Sequence, residues 1–538
     1  MKKSILRKRI FLFLLCGLVF LFLLNAFQWT SNNRAFFLKL RVFGQILERI
    51  QSDYIESKDP NTLIESAIQG VISELDPHTT YFTKEQFEKW NQEFEGYSGI
   101  GIYFDIIDGK ITIISVIQGG PADKAGLEVG DRIVAIDGES ALHIKRDDVP
   151  LKLMGPQGTK VTILVERKGW KTPRSFSLIR EEVHLKSVPN AFFIRPGIGY
   201  IRLSSFTSTT EIELEEAFTR LENMGMHSLI LDLRQNSGGY LETAVKVVDK
   251  FLPGGKKIVY TQGRIPDVSR EYFSTNRTTH RLVPMIVLID RASASASEIV
   301  AGALQDWDRA LIVGEISFGK GLVQNPYRFE DGSALLLTTA HYYTPSGRMI
   351  QRSYREKSQA EYYNEMDTPY WRKWTPGQKP ERPVFHTLLL GRTVYGGGGI
   401  VPDVFFQSLP DTLSPTIRNI LYSPQRPLFT FAEQFVNRHP NLKRMRFSEF
   451  VEKFELHPDT LLSLYRHLHQ TGIEISFPTF QHISNEISLF TKQSLAEKLW
   501  GSEAGFQIQI KNDRALLESL QYLAEAESLL QKAYGLKK

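Results

Sequence analysis

Met285-Ile286-Val287-Leu288-Ile289-Asp290-Arg291-Ala292-Ser293-Ala294-Ser295-Ala296-Ser297-Glu298 runs from five apolar residues into three small hydroxyl residues. Five apolar residues in a row, three of them β-branched, read as a strand buried on both faces. Glu298–Gln305 continues as a helix. Outward from this unit, Gly199–Leu203, Leu229–Leu233, Leu311–Val313 and Ala334–Thr338 read as further strands, and Glu211–Met224 and Leu241–Leu252 as helices. Strands alternating with helices from 184 to about 406 predict an α/β core.

The flanks have other textures. Residues 97–182 carry short β-rich runs, Ile111–Val116, Arg132–Ile136, Val161–Glu166 and Phe176–Ile179, with turn signals such as Asp108-Gly109 and Asp137-Gly138 between them. Before them, Phe36, Leu40, Phe43, Leu47, Ile50 and Tyr54 recur at helical spacing, Asp59-Pro60 starts a second helix, and Thr83 with Gln86 fits a capping box. Residues 354–385 read as a polar and aromatic surface excursion. Beyond about 410 the chain reads as mostly helical, ending in an amphipathic run Leu516–Leu530. The expected divisions are a cytoplasmic basic segment 1–9, a signal anchor 10–27, a helical region 28–95, a β-rich domain 96–183, the core 184–406 and a helical extension 407–538.

The charge is concentrated at one end. Lys2, Lys3, Arg7, Lys8 and Arg9 precede an apolar run from Ile10 to Phe27. Subtracting those five leaves 60 Lys and Arg against 60 Asp and Glu, so the rest of the protein is neutral and nothing points to nucleic acid, which would need a basic patch on a folded domain. The basic run followed by apolar residues predicts an inner-membrane anchor, with the N-terminus cytoplasmic and the bulk periplasmic or extracytoplasmic. Cys16 is the only cysteine, which excludes an intramolecular disulfide and a cysteine-based metal site.

Two places carry chemistry. The serine cluster sits where a strand turns into a helix, whose free N–H groups and dipole suit a developing oxyanion. Ser295-x-x-Glu298 is equally a capping box, a structural device. A serine nucleophile needs a base. His341 reads as a strand residue and His78 as part of the helical region. Lys320, in Ser317-Phe318-Gly319-Lys320-Gly321-Leu322-Val323-Gln324, has glycines on both sides and apolar neighbours able to desolvate an amine. A lysine amine titrates near ~10.4, so base work demands such desolvation. The second place is Ser98-Gly99-Ile100-Gly101-Ile102, where glycines let backbone N–H groups converge on an anion such as a chain terminus.

Gly99–Ile102, Gly120-Pro121-Ala122-Asp123-Lys124-Ala125-Gly126-Leu127 and Gly130–Gly138 together resemble PDZ domains. The resemblance implies that Gly99, Ile100, Gly101 and Ile102 hold a substrate's C-terminal carboxylate and last side chain. The serine cluster, Phe318-Gly319-Lys320-Gly321, Leu231-Asp232-Leu233-Arg234-Gln235-Asn236-Ser237-Gly238-Gly239 and Tyr343-Thr344-Pro345-Ser346-Gly347-Arg348 resemble the C-terminal processing peptidases, or tail-specific proteases.

That resemblance spans about 63 to 406 and implies a crotonase-like αβ core with sandwiched layers. By position it implies Ser295 as nucleophile, 25 residues before Lys320 as base, with Gln324 holding the lysine. The N–H groups of Gly238 and Ala296 would form the oxyanion hole, with Gly239 as the alternative to Gly238, and Asp306 would give structural support. No metal or cofactor is implied. The partners are protein substrates with accessible C-terminal tails, a second copy of the chain, and the membrane through 10–27, with no nucleic acid; whether an adaptor takes part is left open by the sequence. Met154 stands where many relatives carry arginine. The rivals are a non-catalytic PDZ scaffold and an acyl-CoA-type enzyme with thioester turnover. Lys320→Arg keeps the charge and removes a usable base, so it is expected to abolish cleavage of an unstructured tailed substrate; retained cleavage contradicts the dyad.

Overall fold

A computed structural model describes residues 34–276, 280–368, 381–406 and 413–535. The segments 1–9 and 10–27, expected as basic leader and anchor, lie outside the described residues. Among the described residues no helix is long and apolar enough to cross a membrane. The chain forms two compact units, Met1–Tyr81 and Phe82–Lys538.

In the first unit residues 34–53 are helical, and a helix Pro60–Ile72 follows. It starts where Asp59-Pro60 predicts. Asp59 accepts from the Thr62 N–H at 3.0 Å, and Pro60, lacking an N–H, occupies the first turn. His78 is buried in a turn whose N–H groups, its own and that of Thr79, donate to Asp76.

The second unit opens with helix Lys84–Glu95, capped by the Thr83–Gln86 box. A six-strand antiparallel sheet follows, five strands in the order β1 (Ile102–Ile107), β2 (Lys110–Val116), β3 (Arg132–Ile136), β4 (Lys160–Glu166), β5 (Arg174–Ile179), with the short strand Glu139–Ser140 paired to β3 off that path. Helix α1 (Asp148–Leu153) packs Val149 and Leu153 into the same apolar cluster as Ile111, Ile133 and Ile163. β1 is an edge strand, paired only with β2.

The core sheet has six strands in the order β6 (Asn190–Arg195), β7 (Ile198–Arg202), β8 (Ser228–Asp232), β10 (Met285–Ile289), β11 (Leu311–Gly314), β14 (Val404–Phe405). All neighbours run parallel except β6 and β7. Every residue of β8 and β10 is buried, as uninterrupted apolar runs require. Alternate side chains point to opposite faces. Leu229 and Leu231 meet α2 (Thr210–Asn223), α3 (Leu241–Asp249) and α4 (Ala296–Asp306). Ile230, Ile286 and Leu288 point the other way, into a cluster with Ile510, Leu516, Leu520 and Leu529. A second sheet holds β9 (Lys257–Gly263), β12 (Leu322–Arg328) and β13 (Ala334–Tyr343).

The C-terminal extension is helical, as expected, and it supplies the layer that seals the outer face of the core sheet. α5 (Pro427–Arg438) and α6 (Ser484–Trp500) also touch the PDZ-like domain: Arg132 pairs with Glu433 at 3.2 Å, and Arg426 with Asp105 at 2.8 Å. α7 (Ser502–Ile510), α8 (Arg514–Ser519) and α9 (Leu523–Tyr534) lie on the core. The run Leu516–Leu530 is two helices, interrupted by a 3-10 turn at Leu520–Tyr522. Within 354–385 the surface expectation fails at Tyr362, Met366 and Arg382, all buried. Arg352 stacks over the Tyr362 ring at 4.1 Å, which draws that segment inward.

Ile230→Ala is expected to cost about 2–5 kcal/mol, as is Leu231→Ala on the opposite face. Chemical denaturation reads both. A cost below ~1 kcal/mol at Ile230 would mean that the extension does not seal the outer face.

Candidate active site

Three serines share the turn after β10, and burial separates them. Ser293 is fully buried and donates from Oγ to the Leu233 carbonyl at 2.9 Å. Ser297 is fully buried and donates to the Asn236 carbonyl at 2.8 Å. Ser295 alone is partly exposed. Its backbone has φ +56 and ψ −112, a conformation costing a non-glycine residue about 1–3 kcal/mol. It is the N-cap of α4, at the corner between strand and helix.

Ser295 and Glu298 do form the capping box, but the glutamate does more than cap. It is fully buried, and four donors converge on it. Oε2 accepts from the Ser295 N–H at 2.8 Å and the Lys320 N–H at 2.9 Å. Oε1 accepts from the Gly319 N–H and the Ser317 hydroxyl, both at 2.6 Å. One carboxylate therefore ties the serine's peptide to the lysine's. Burial pushes its carboxyl above the usual 4.5, against the pull of the four donors.

The lysine loop is fastened elsewhere too. The Phe318 N–H donates to the Ser293 carbonyl at 2.9 Å, and the Tyr342 N–H to that of Gly321 at 2.9 Å. Gly319 must be glycine: φ is +86, and a Cβ would stand 2.6 Å from Arg352 Cγ and 2.9 Å from the Gly399 nitrogen. Lys320 Nζ donates to Gln324 Oε1 at 2.6 Å, the arrangement expected of these two residues. Tyr342 donates its hydroxyl to the Ser295 carbonyl at 3.0 Å.

Gly238 lies against the serine. A Cβ there would be 2.9 Å from Ser295 Cβ and 3.1 Å from the Ala296 nitrogen. Its N–H, an expected oxyanion donor, is engaged: it donates to Asn236 Oδ1 at 2.9 Å. The Gly238 carbonyl accepts from the Phe206 N–H at 3.0 Å. Because a trans peptide sets C=O and N–H in opposite directions, the Gly239 N–H is turned away from Phe206. Ala296 is the first residue of α4.

Asp306 ends the helix that Ser295 begins, ~16 Å along its axis, so it touches no chemistry at the serine. Fully buried, it pairs with the equally buried Arg348 at 2.5 Å and accepts from the Ser346 N–H at 2.9 Å. His341 is a strand residue, opposite Leu322 in β12.

In the β-rich domain, Ile100 and Ile102 are buried in its core. The Ile100 carbonyl accepts from the Ala122 N–H at 2.9 Å and that of Gly101 from Ile117 at 3.0 Å. The same trans-peptide argument points the N–H groups of Gly101 and Ile102 the opposite way. Gly101 has φ +75. Met154 lies beside this loop, 3.5 Å from where a Gly99 Cβ would be. The nearby guanidinium is Arg180, which caps the end of α1 on the carbonyls of Leu153 (3.1 Å) and Lys152 (2.9 Å).

The sequence flagged Ser295 and Glu298 as a pair but read the glutamate only as a cap. Its bonds to 317–320 had no local signal. Asp290 was missed as well: it accepts from the N–H groups of Gln235, Ala292 and Ser293, and so joins the glycine loop to the serine turn.

Comparison with known proteins supplies the family. Residues 197–356 match peptidase family S41, and residues 112–167 match a PDZ domain. The carboxy-terminal-processing protease of Bartonella bacilliformis is 39% identical over 328 residues, covering 60% of this chain and 75% of that protein. The carboxy-terminal processing protease CtpA of Bacillus subtilis is 33% identical over 316 residues, covering 58% and 67%. Among solved structures, the photosystem II D1 C-terminal processing protease has a TM-score of 0.33 at 25% identity, over 71% of this chain and 97% of that one.

Glu298→Gln is expected to lower kcat on the order of 100-fold, since an amide offers one acceptor oxygen where the four donors use two. Protonation of Glu298 puts a hydrogen on an oxygen that must accept. Because its pKa is raised, protonation of Glu298 should add its own loss of activity on acidification, beginning above pH 4.5 and on top of the loss from protonating the lysine, and that added loss should be missing from Glu298→Gln. Parent and Glu298→Gln profiles of the same shape down to pH 4.5 would contradict the role.

Proposed function

The chain belongs to the carboxy-terminal-processing proteases of peptidase family S41, and on that premise we propose that it is a serine endopeptidase that cuts proteins near their C-terminal tails. The observation carrying this is the single buried carboxylate of Glu298 that joins the Ser295 and Lys320 peptides.

A substrate tail binds the PDZ domain as an added strand along the edge of β1, its carboxylate at the N–H groups of Gly101 and Ile102, with Gly99 and Ile100 shaping the loop. Upstream, a peptide bond lies over Ser295. Neutral Lys320, oriented by Gln324, takes the hydroxyl proton as Oγ attacks the carbonyl carbon. The tetrahedral oxyanion forms at the helix N-terminus, where the Ala296 N–H and the α4 dipole stabilise it. Gly238 supplies the second donor once Asn236 releases its N–H; the Gly239 N–H is the alternative. Lys320 then protonates the leaving amine as the C–N bond breaks; water, deprotonated in turn by Lys320, attacks the acyl carbon, and Lys320 returns that proton to Ser295 Oγ as the acyl group leaves as a carboxylic acid.

The six-stranded sheet with helices on both faces supports a crotonase-like layering. The basic run followed by the apolar residues 10–27 supports an inner-membrane anchor with the catalytic part periplasmic. Self-association follows from the family resemblance. No observation favours the scaffold or the thioester reading over proteolysis.

Ser295→Ala is expected to reduce cleavage of an unstructured protein with a free apolar C-terminus on the order of 10⁴-fold or more. Mass spectrometry of new C-termini in envelope extract, parent against Ser295→Ala, reads this; identical C-termini would overturn the assignment. Gly101→Val, strained at φ +75, is expected to raise KM for the tailed protein about 10-fold and leave a short peptide without a tail unaffected.

A further inference from the structure

The C-terminal extension lies outside both family matches, yet one of its side chains reaches the loop beside the nucleophile. Asp232, at the end of β8, is buried. Its carboxylate accepts from the Tyr200 hydroxyl at 2.8 Å and from Arg234 Nε and Nη2 at 2.9 and 2.6 Å. The same guanidinium is gripped from the extension. Arg234 Nη2 donates to Asp513 Oδ2 at 2.6 Å and Nη1 to Asp513 Oδ1 at 3.2 Å, a two-pronged contact that fits the planar fork of arginine.

Asp513 is itself fixed. It is the N-cap of α8 and accepts from the Leu516 N–H at 3.0 Å, while Leu516 is buried against the outer face of the core sheet. Beyond Arg234 the chain runs straight into the site. Gln235 has φ +61, a strained value that persists only where its surroundings over-determine it. Its N–H donates to Asp290 at 3.0 Å. The Asn236 carbonyl accepts from the Ala294 N–H at 3.0 Å and the Ser297 hydroxyl at 2.8 Å. Gly238 then lies against Ser295. The strained turn is thus held at its start by Arg234 and at its end by the serine turn.

We propose that Asp513 is a positioning residue for proteolysis: by gripping Arg234 it keeps the turn 234–238 seated against the nucleophile. It touches no reacting atom. The proposal rests on the reading of Ser295 as nucleophile, and it gives the extension a share in catalysis as well as in covering the sheet.

Asp513→Asn tests it, because asparagine caps a helix as well as aspartate but lacks the charge and second acceptor that Arg234 uses. The control is Leu529→Ala, which loosens α9 from the same face of the sheet without touching Asp513 or Arg234. Both are compared with the parent on an unstructured polypeptide with a free apolar C-terminus, with kcat expressed per serine titrated by a fluorophosphonate. Asp513→Asn is expected to lower kcat per site on the order of 10- to 100-fold with KM within about two-fold. Leu529→Ala is expected to keep the parent kcat per site. Parent kcat in Asp513→Asn, or an equal fall in Leu529→Ala, overturns the proposal. Should the parent show no Ser295-dependent cleavage, the functional reading fails, and amide exchange over residues 233–239 still decides the positioning. Faster exchange in Asp513→Asn alone supports it; unchanged exchange overturns it.

Discussion

The candidate active site hangs on one buried carboxylate. Glu298 gathers the N–H groups of Ser295, Gly319 and Lys320 and the Ser317 hydroxyl, so the serine turn and the lysine loop share an acceptor. An ionised group without water costs several kcal/mol unless its lone pairs are all used. Here four donors use them, and the N-terminus of α4 adds a favourable dipole. The spacing of the Ser295 and Lys320 peptides is therefore set by backbone amides on a common centre, while the lysine side chain donates to Gln324.

Around that centre the joins are of two kinds. The extension meets the core mainly through apolar side chains on the outer face of the sheet, among them Ile230, Ile286, Leu516 and Leu529, with the Arg234–Asp513 ion pair at its border. It meets the PDZ domain through charges: Arg132 with Glu433, Asp105 with Arg426, and Lys498 on the Val129 carbonyl. Apolar burial is insensitive to salt, whereas partly exposed ion pairs weaken with it. The core and extension thus form a durable block, and the attachment of the PDZ domain to that block is the ionic, more adjustable one.

Much of this was legible beforehand because the signals were local. Met285–Ile289 and Leu229–Leu233 are short apolar runs bounded by polar turns, and both are central strands. Thr83 and Gln86 cap a helix three residues apart, as their types require. β12 escaped notice because Gln324, Asn325 and Pro326 interrupt it, and its pairing with β13 decides the matter. Local pattern did not choose a nucleophile among Ser293, Ser295 and Ser297; the family resemblance pointed to Ser295 by its distance from Lys320, and the tertiary partners of Ser293 and Ser297 give the physical reason. Asp513 and Arg234 are 279 residues apart in sequence, and no periodicity links them.

The most direct test is a crystal structure of the chain with a peptide boronate trapped as a tetrahedral adduct. The account predicts a covalent bond from boron to Ser295 Oγ, Lys320 Nζ within hydrogen-bond distance of that oxygen, and Glu298 still bridging the Ser295 and Lys320 amides. An adduct on another residue, or one at Ser295 with Lys320 turned away and Glu298 detached from the turn, would contradict it.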